Sequence, residues 1–127
     1  DDPVLFLEHK HIYRQPYAKG PSVPDLIARS LRPWLTRWLD ARGLSLERVG
    51  AWAIHPGGPR ILSSVLAGLQ LPAGADAASR AVLAEHGNMS SPTTLFILER
   101  LRRDGAARPY VALAFGPGLA AEAALFA

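Results

Sequence analysis

The apolar positions along this chain change their period several times, and each change marks a candidate element. From Pro24 onward Leu26, Ile27, Leu31, Trp34, Leu35, Trp38 and Leu39 recur three or four residues apart, with Arg29, Arg32, Arg37 and Arg42 between them. That spacing predicts an amphipathic helix. Pro33 interrupts the stripe and either kinks the helix or begins a second one, because proline is comfortable only in a first turn. Gly43 then stops it, as a glycine after a helix end does. Residues 49–54 (Val-Gly-Ala-Trp-Ala-Ile) read as a buried strand ending at His55. Pro56-Gly57-Gly58-Pro59 makes a tight turn, and Ile61, Leu62, Val65, Leu66 and Leu69 mark the next helix. A further helix is expected from Ala77 to His86, closed by Gly87. A long one follows from Ser91-Pro92 through Leu95, Phe96, Leu98 and Leu101 to Arg103, with Ser91 as N-cap and Pro92 at the first helical position. Residues 110–115 and 119–126 read as strands joined by Gly116-Pro117-Gly118.

Helices alternating with buried strands predict an α/β fold with helices packed on a mixed sheet, and no internal repeat is visible. Residues 1–21 stand apart as a strand-like segment, Val4-Leu5-Phe6-Leu7, followed by a Pro/Gly-rich linker; residues 22–127 form the main domain. At 127 residues and 49% apolar content the chain can bury a core, which sets disorder aside. Its formal charge of +3 gives no footprint for a nucleic-acid partner. Arg100, Arg102 and Arg103 sit at a predicted helix end, where cations complement the helix dipole; a coenzyme A phosphate is the alternative ligand. No apolar run approaches the roughly 20 residues of a membrane span and no basic-then-apolar leader opens the chain, so a soluble, cytoplasmic protein is expected. Cysteine is absent, which removes disulfides and any thiol nucleophile. Met89 is the only methionine, and a first residue other than methionine is expected of a fragment, a processed product or an engineered piece.

Two residues carry candidate chemistry. His55 lies where a buried strand gives way to a glycine turn, and open α/β sheets place functional side chains at the carboxyl ends of their strands. Gly57 and Gly58 remove side chains there and would let a ligand approach backbone N–H groups near a helix start. A tight turn without a ligand is the plainer alternative. Asn88 sits between Gly87 and Met89-Ser90-Ser91, where most asparagines only cap or turn. Its amide can nevertheless donate a hydrogen bond without changing charge, which suits a developing oxyanion. A histidine and an asparagine together suit thioester enolate chemistry better than hydrolysis, which needs a base and a nucleophile.

Three motifs taken in order then resemble the type III polyketide synthases of the chalcone synthase type: Trp52-Ala53-Ile54-His55-Pro56-Gly57-Gly58-Pro59, then Ser79-Arg80-Ala81-Val82-Leu83 with Gly87-Asn88-Met89-Ser90-Ser91, then Phe115-Gly116-Pro117-Gly118-Leu119. The resemblance covers about residues 22–127. It implies the C-terminal half of a thiolase-like fold whose first half carries the acyl chain on a cysteine. It also implies that His55 and Asn88 hydrogen-bond a malonyl thioester carbonyl, so that decarboxylation yields a stabilised enolate, and that His55 pairs with the thiolate. Ser90, Phe115, Gly116 and Pro117 would line the cavity where the polyketide folds, while Gly57, Gly58 and Arg60 lie at the turn that receives coenzyme A. Acyl-CoA and malonyl-CoA are the implied substrates, with no metal and no redox cofactor.

Two departures qualify the resemblance. The nucleophilic cysteine and the first half are missing, so condensation is not expected of this polypeptide alone, and the usual Gly-Phe-Gly-Pro-Gly appears as Ala114-Phe115-Gly116-Pro117-Gly118. Asp2-Pro3-Val4-Leu5-Phe6-Leu7-Glu8-His9-Lys10 through Tyr13-Arg14-Gln15 instead resembles the β subunit of thiamine-dependent 2-oxoacid dehydrogenase E1 components, as a chimera would. His9 and His11 would share one face of an extended stretch, and a polar strand end explains them best. A half of a two-half fold is expected to expose the apolar surface that meets its partner, and therefore to self-associate as a homo-oligomer. The alternatives are a non-catalytic folded fragment or chimeric interaction domain, and the ketoacyl synthase III branch, against which Met89-Ser90-Ser91 and Phe115-Gly116-Pro117-Gly118 argue.

Overall fold

The apolar stripe that begins the domain is buried along one helix. In a computed structural model, which describes residues 23–116 and 120–127, α1 runs without a break over Val23–Asp40 and carries Pro33 inside it. An interior proline costs a helix about 3 kcal/mol. Burial of Ile27, Leu31, Leu35, Trp38 and Leu39, at roughly 1.5–3 kcal/mol each, outweighs that, so the chain neither breaks nor restarts at Pro33. Gly43, with φ +69°, closes the turn after α1, and its N–H bonds the Asp40 carbonyl at 3.0 Å. The expected strand-like segment at 1–21, the histidines His9 and His11 and the turn residues 117–119 lie outside the described residues.

Three strands form one mixed sheet in the order β1 (Ala51–Ile54), β2 (Tyr110–Gly116), β3 (Ala120–Phe126). β1 runs parallel to β2, and β3 runs antiparallel to it. Between β1 and β2 the chain makes α2 (Pro59–Leu69), α3 (Ala77–His86) and α4 (Pro92–Arg103). Strand alternation sends Trp52, Ile54, Val111, Leu113 and Ala123 to one face, where they pack with Leu31 and Leu35 of α1 and Leu62, Val65 and Leu69 of α2. Ala53, Tyr110, Ala112 and Ala124 face the other way, against Val82 of α3 and Ile97 and Leu101 of α4. The result is three layers, a helix pair on each side of the sheet.

β1 begins two residues later than its apolar run suggests, because Gly50 passes close to the chain that leads into β2. A Cβ on Gly50 would lie 2.1 Å from the Ala107 carbonyl oxygen. Gly50 and Ala51 both donate to the Pro109 carbonyl, at 2.8 and 3.3 Å. On its outer edge β1 has another partner: the Ile54 N–H donates to the buried Ser79 hydroxyl of α3 at 3.1 Å. Sequence patterning gives Ser79 no structural role, since it sits within a helical stretch.

α1 and α2 cross at Gly68, where an added Cβ would sit 2.9 Å from the Ala28 Cα and 3.2 Å from the Ala28 and Ile27 carbonyl oxygens. Arg32 reinforces the crossing by donating to the Leu69 carbonyl at the α2 C-terminus, where Gln70 turns left-handed at φ 57°. Since backbone rather than a flexible side chain opposes the extra atoms, Gly68→Val is expected to destabilise the fold by about 1–3 kcal/mol, read as a lowered denaturant midpoint with an unchanged slope. A wild-type midpoint in that variant would show that α2 can pull away from α1 freely.

Candidate active site

The chain leaves the sheet at His55, whose backbone N–H still donates to the Leu113 carbonyl at 2.7 Å. His55 is thus held as the last residue of the parallel ladder, partly buried, with the buried Pro56 after it. Gly58, in an extended conformation, precedes α2, and Pro59 fills the first helical position without leaving an orphan N–H.

Asn88 is positioned by a second set of contacts. α3 ends at Gly87, whose φ of +71° turns the chain and whose N–H bonds the Leu83 carbonyl at 2.9 Å. The Asn88 side-chain Oδ1 accepts the Ser90 N–H at 2.9 Å, and Ser90 itself takes a left-handed φ of 61°. A left-handed non-glycine residue costs on the order of 1–2 kcal/mol, so the loop is held by its surroundings. The clamp is Thr93, fully buried in the first turn of α4: its hydroxyl accepts the Met89 N–H at 2.8 Å, and its own N–H bonds the Ser90 carbonyl at 3.0 Å. Ser91 occupies the N-cap of α4 as expected, but it is already helical and makes no side-chain cap bond. Thr93, from inside the helix, ties down the preceding loop and leaves the helix without a side-chain cap.

His55 and Asn88 line one cavity of about 500 Å³ together with Ser90, Phe115 and Gly116. Ser91, Thr94, Ala114, Ala120 and Glu122 complete the lining. Five of the sequence candidates therefore come together. Gly57, Gly58 and Arg60 do not line this cavity; they start α2 beside it, with Gly57 and Arg60 exposed and open space where a Gly58 Cβ would stand. Pro117 lies outside the described residues. Sequence reading missed Glu122, Thr94 and the clamp at Thr93, because none belongs to a motif and only the strand register and helix start bring them here.

A larger cavity of about 770 Å³ opens at the opposite end of β1, around Gly50, Ala51 and Trp52. No histidine or asparagine lines it, and its cations are engaged: Arg100 lies 2.7 Å from Glu85, and Arg32 lies 3.9 Å from Glu47. Arg102 likewise pairs with Glu99 at 2.8 Å, so the basic cluster at the end of α4 is a set of surface ion pairs. Among the described residues no three His, Cys, Asp or Glu gather as a metal site, and no helix is long and apolar enough to cross a membrane.

Electrostatically the site is mild. Burial lowers the His55 pKa below its ordinary value near 6.5, so the resting side chain at neutral pH is the uncharged imidazole. The Asn88 amide spends its oxygen on the Ser90 N–H, which leaves the two N–H groups of Nδ2 as the donors to spare. One neutral ring and one amide on a common cavity can polarise a carbonyl and stabilise negative charge on its oxygen.

Comparison with known proteins decides the family. The model of the C-terminal domain of chalcone and stilbene synthases matches residues 16–127. The chain belongs to this family, the type III polyketide synthases. It is 38% identical over 130 residues to the alpha-pyrone synthesis polyketide synthase-like Pks18 of Mycobacterium tuberculosis and, equally, of Mycobacterium bovis, an alignment that covers 99% of this chain and 32% of the relative. The crystal structure of PKS-I from the brown alga Ectocarpus siliculosus superposes with a TM-score of 0.79 at 30% identity, over 98% of this chain and 38% of that one. The chain therefore spans about a third of the length of the curated relatives it matches, and the thiolase-like half-fold is shared with the type III polyketide synthase structure. The sequence alignment to the Pks18 relatives takes in 99% of this chain and so reaches into residues 1–19, the segment expected to be foreign.

Two outcomes follow from the geometry. Thr93→Val keeps shape but removes the acceptor for the partly buried Met89 N–H, and is expected to cost about 1 kcal/mol and to shift the Asn88 and Ser90 amide resonances; unchanged resonances would show that Thr93 does not hold the loop. The His55 shift has a definite sign. Its folded pKa is lowered, so the unfolded chain binds more protons at acid pH, and the stability present above about pH 6.5 is lost as pH falls through the folded value. The difference in denaturant midpoint between pH 7.5 and pH 5 is expected to shrink in His55→Gln; an identical difference would remove His55 as a cause.

Proposed function

We propose that this chain carries the malonyl-thioester side of a decarboxylative condensing site. In this reading His55 and the Asn88 amide donate to the thioester carbonyl oxygen, loss of carbon dioxide leaves an enolate held by the same donors, and Ser90, Phe115 and the Gly116-Pro117 turn shape the space in which the product grows. The observation that carries it is the single cavity shared by His55 and Asn88 in a member of the type III polyketide synthase family. The donor chemistry agrees: both groups are neutral, and neutral donors stabilise an oxyanion without trapping the malonyl carboxylate as a salt. Coenzyme A would enter past Gly57, Gly58 and Arg60 at the start of α2. No metal is required for the step, because the thioester already acidifies its neighbouring carbon.

The other half of the reaction needs an acyl carrier that this sequence does not hold, since it contains no cysteine. Chain extension is therefore assigned to an assembly with a cysteine-bearing half. The exposed Leu95 and Phe96 of α4, 66% and 47% accessible, supply apolar surface for such a partner or for self-association.

Equilibrium dialysis with labelled malonyl-CoA tests the reading. The wild-type chain is expected to bind, and the double variant His55→Ala/Asn88→Ala to bind at least about tenfold more weakly, two lost hydrogen bonds of roughly 1 kcal/mol each. Equal binding by both would refute it. Carbon dioxide release by the chain alone is expected to stay near background, because the cavity is open to water; polyketide formation by the isolated chain would contradict the half-site assignment.

A further inference from the structure

We propose that Ser79 is a positioning residue for the candidate site, its hydroxyl fixing the end of β1 against α3 and so setting how His55 stands relative to Asn88. The inference rests on reading those two residues as the working donors of the site. A buried polar side chain is costly unless it is hydrogen-bonded. Among the described residues the buried polar or charged side chains are Asp76, Ser79 and Thr93. Thr93 holds the loop that carries Asn88. Asp76 and Ser79 both belong to the start of α3, and Ser79 opens the Ser79-Arg80-Ala81-Val82-Leu83 motif, to which the two donors themselves give no task.

The end of β1 is held from two sides. On the inner side the His55 N–H donates to the Leu113 carbonyl at 2.7 Å. On the outer side, one residue earlier, the N–H of the fully buried Ile54 donates to the Ser79 hydroxyl at 3.1 Å. Among the described strands β1 lies at the edge of the sheet, so without Ser79 the Ile54 N–H has no ladder partner. Removing that oxygen would leave a buried donor unpaired, and a four-residue strand end relieves such a loss by shifting toward another acceptor or toward water.

The helix that carries Ser79 makes this bond a link between the donors. About 12 Å of helix separate Ser79 from Gly87, whose φ of +71° turns the chain into Asn88. α3 also has an anchorage of its own. Arg80 Nε lies 2.7 Å from the buried Asp76 carboxylate, and Arg80 Nη2 donates to the Ser63 hydroxyl of α2 at 3.3 Å. α3 therefore meets the chain on both sides of His55, at Ile54 before it and at Ser63 after it. Because α3 stays with α2, loss of the Ser79 bond lets the end of β1 move relative to α3 instead of carrying α3 along. The displacement then falls between His55 and Asn88. Ser79 itself does not line their cavity, so it acts through the backbone and not on a ligand.

NMR of the labelled 127-residue chain tests the link without substrate. In the wild-type chain the Ile54 amide is expected to exchange with deuterium as slowly as the His55 amide inside the ladder; exchange at the rate of an open strand edge would overturn the proposal before any variant is made. In Ser79→Ala the Ile54 amide is expected to lose at least about tenfold of its protection, and the His55 ring and Asn88 Nδ2 signals to move with it. A role confined to stability would lower the denaturant midpoint and leave those folded-state signals in place, and that outcome would overturn the proposal. Ser79→Thr keeps the oxygen and is expected to bring the signals back; shifts as large as those of Ser79→Ala would overturn it equally. Malonyl-CoA is expected to bind Ser79→Ala about fivefold more weakly than wild type, and equal binding would count against the proposal. Moved donor signals with no malonyl-CoA binding by the wild-type chain would sink only the function proposed above, while wild-type binding with unmoved signals in Ser79→Ala would sink only this inference.

Discussion

β2 is hydrogen-bonded along both edges, to β1 in parallel and to β3 antiparallel, and that double register determines what every other element can contribute. It sends alternate residues of three strands to opposite faces, so α1 and α2 meet one apolar row and α3 and α4 another. It also extends one bond beyond β1, at His55, and so keeps the histidine in line with the sheet where a free loop would let it wander. The side chains of the ladder's last row then face the start of α4, where Thr93 holds the loop that carries Asn88.

Much of this is legible in the sequence because helix burial and strand burial leave different periods. The stripe through Ile27, Leu31, Leu35 and Leu39, the turn at Gly87 and the start of α4 at Pro92 all follow from local pattern and backbone chemistry. Where local pattern is silent, contacts distant in sequence decide. Gly50 belongs by hydrophobicity to β1 but serves a close passage against Ala107, which shortens the strand. Pro33 looks like a boundary, yet packing on α2 carries the helix through it. Ser91 looks like a cap but makes no cap bond, and the hydroxyl two residues on holds the Met89 loop instead. Glu122 is the least visible: β3 is a run of alanines with one acid, and only pairing with Ala114 reveals which residues that acid stands beside.

His55 and Asn88 were legible as candidates because family motifs surround both, and the structure brings them to one cavity. What distinguishes this chain is the balance of the site. It holds neutral donors and one carboxylate, with no thiol, on a fold that spans about a third of its relatives' length. Under the proposed function such a site would stabilise an enolate oxygen and depend on another surface for the acyl group. The larger cavity beside Gly50 is lined by no histidine or asparagine, and the arginines at the far end of α4 are engaged in ion pairs, so donor type and size point to different places.

The central claim is that the chemistry of this chain lives where β1 ends. Chemical-shift mapping of the labelled protein with malonyl-CoA tests it most directly. The account predicts that the His55 ring and Asn88 Nδ2 resonances move together and saturate at the same ligand concentration, with Ser90 and Gly116 following. Perturbations gathered instead around Gly50, Trp52 and Arg100, with His55 and Asn88 unmoved, would contradict it.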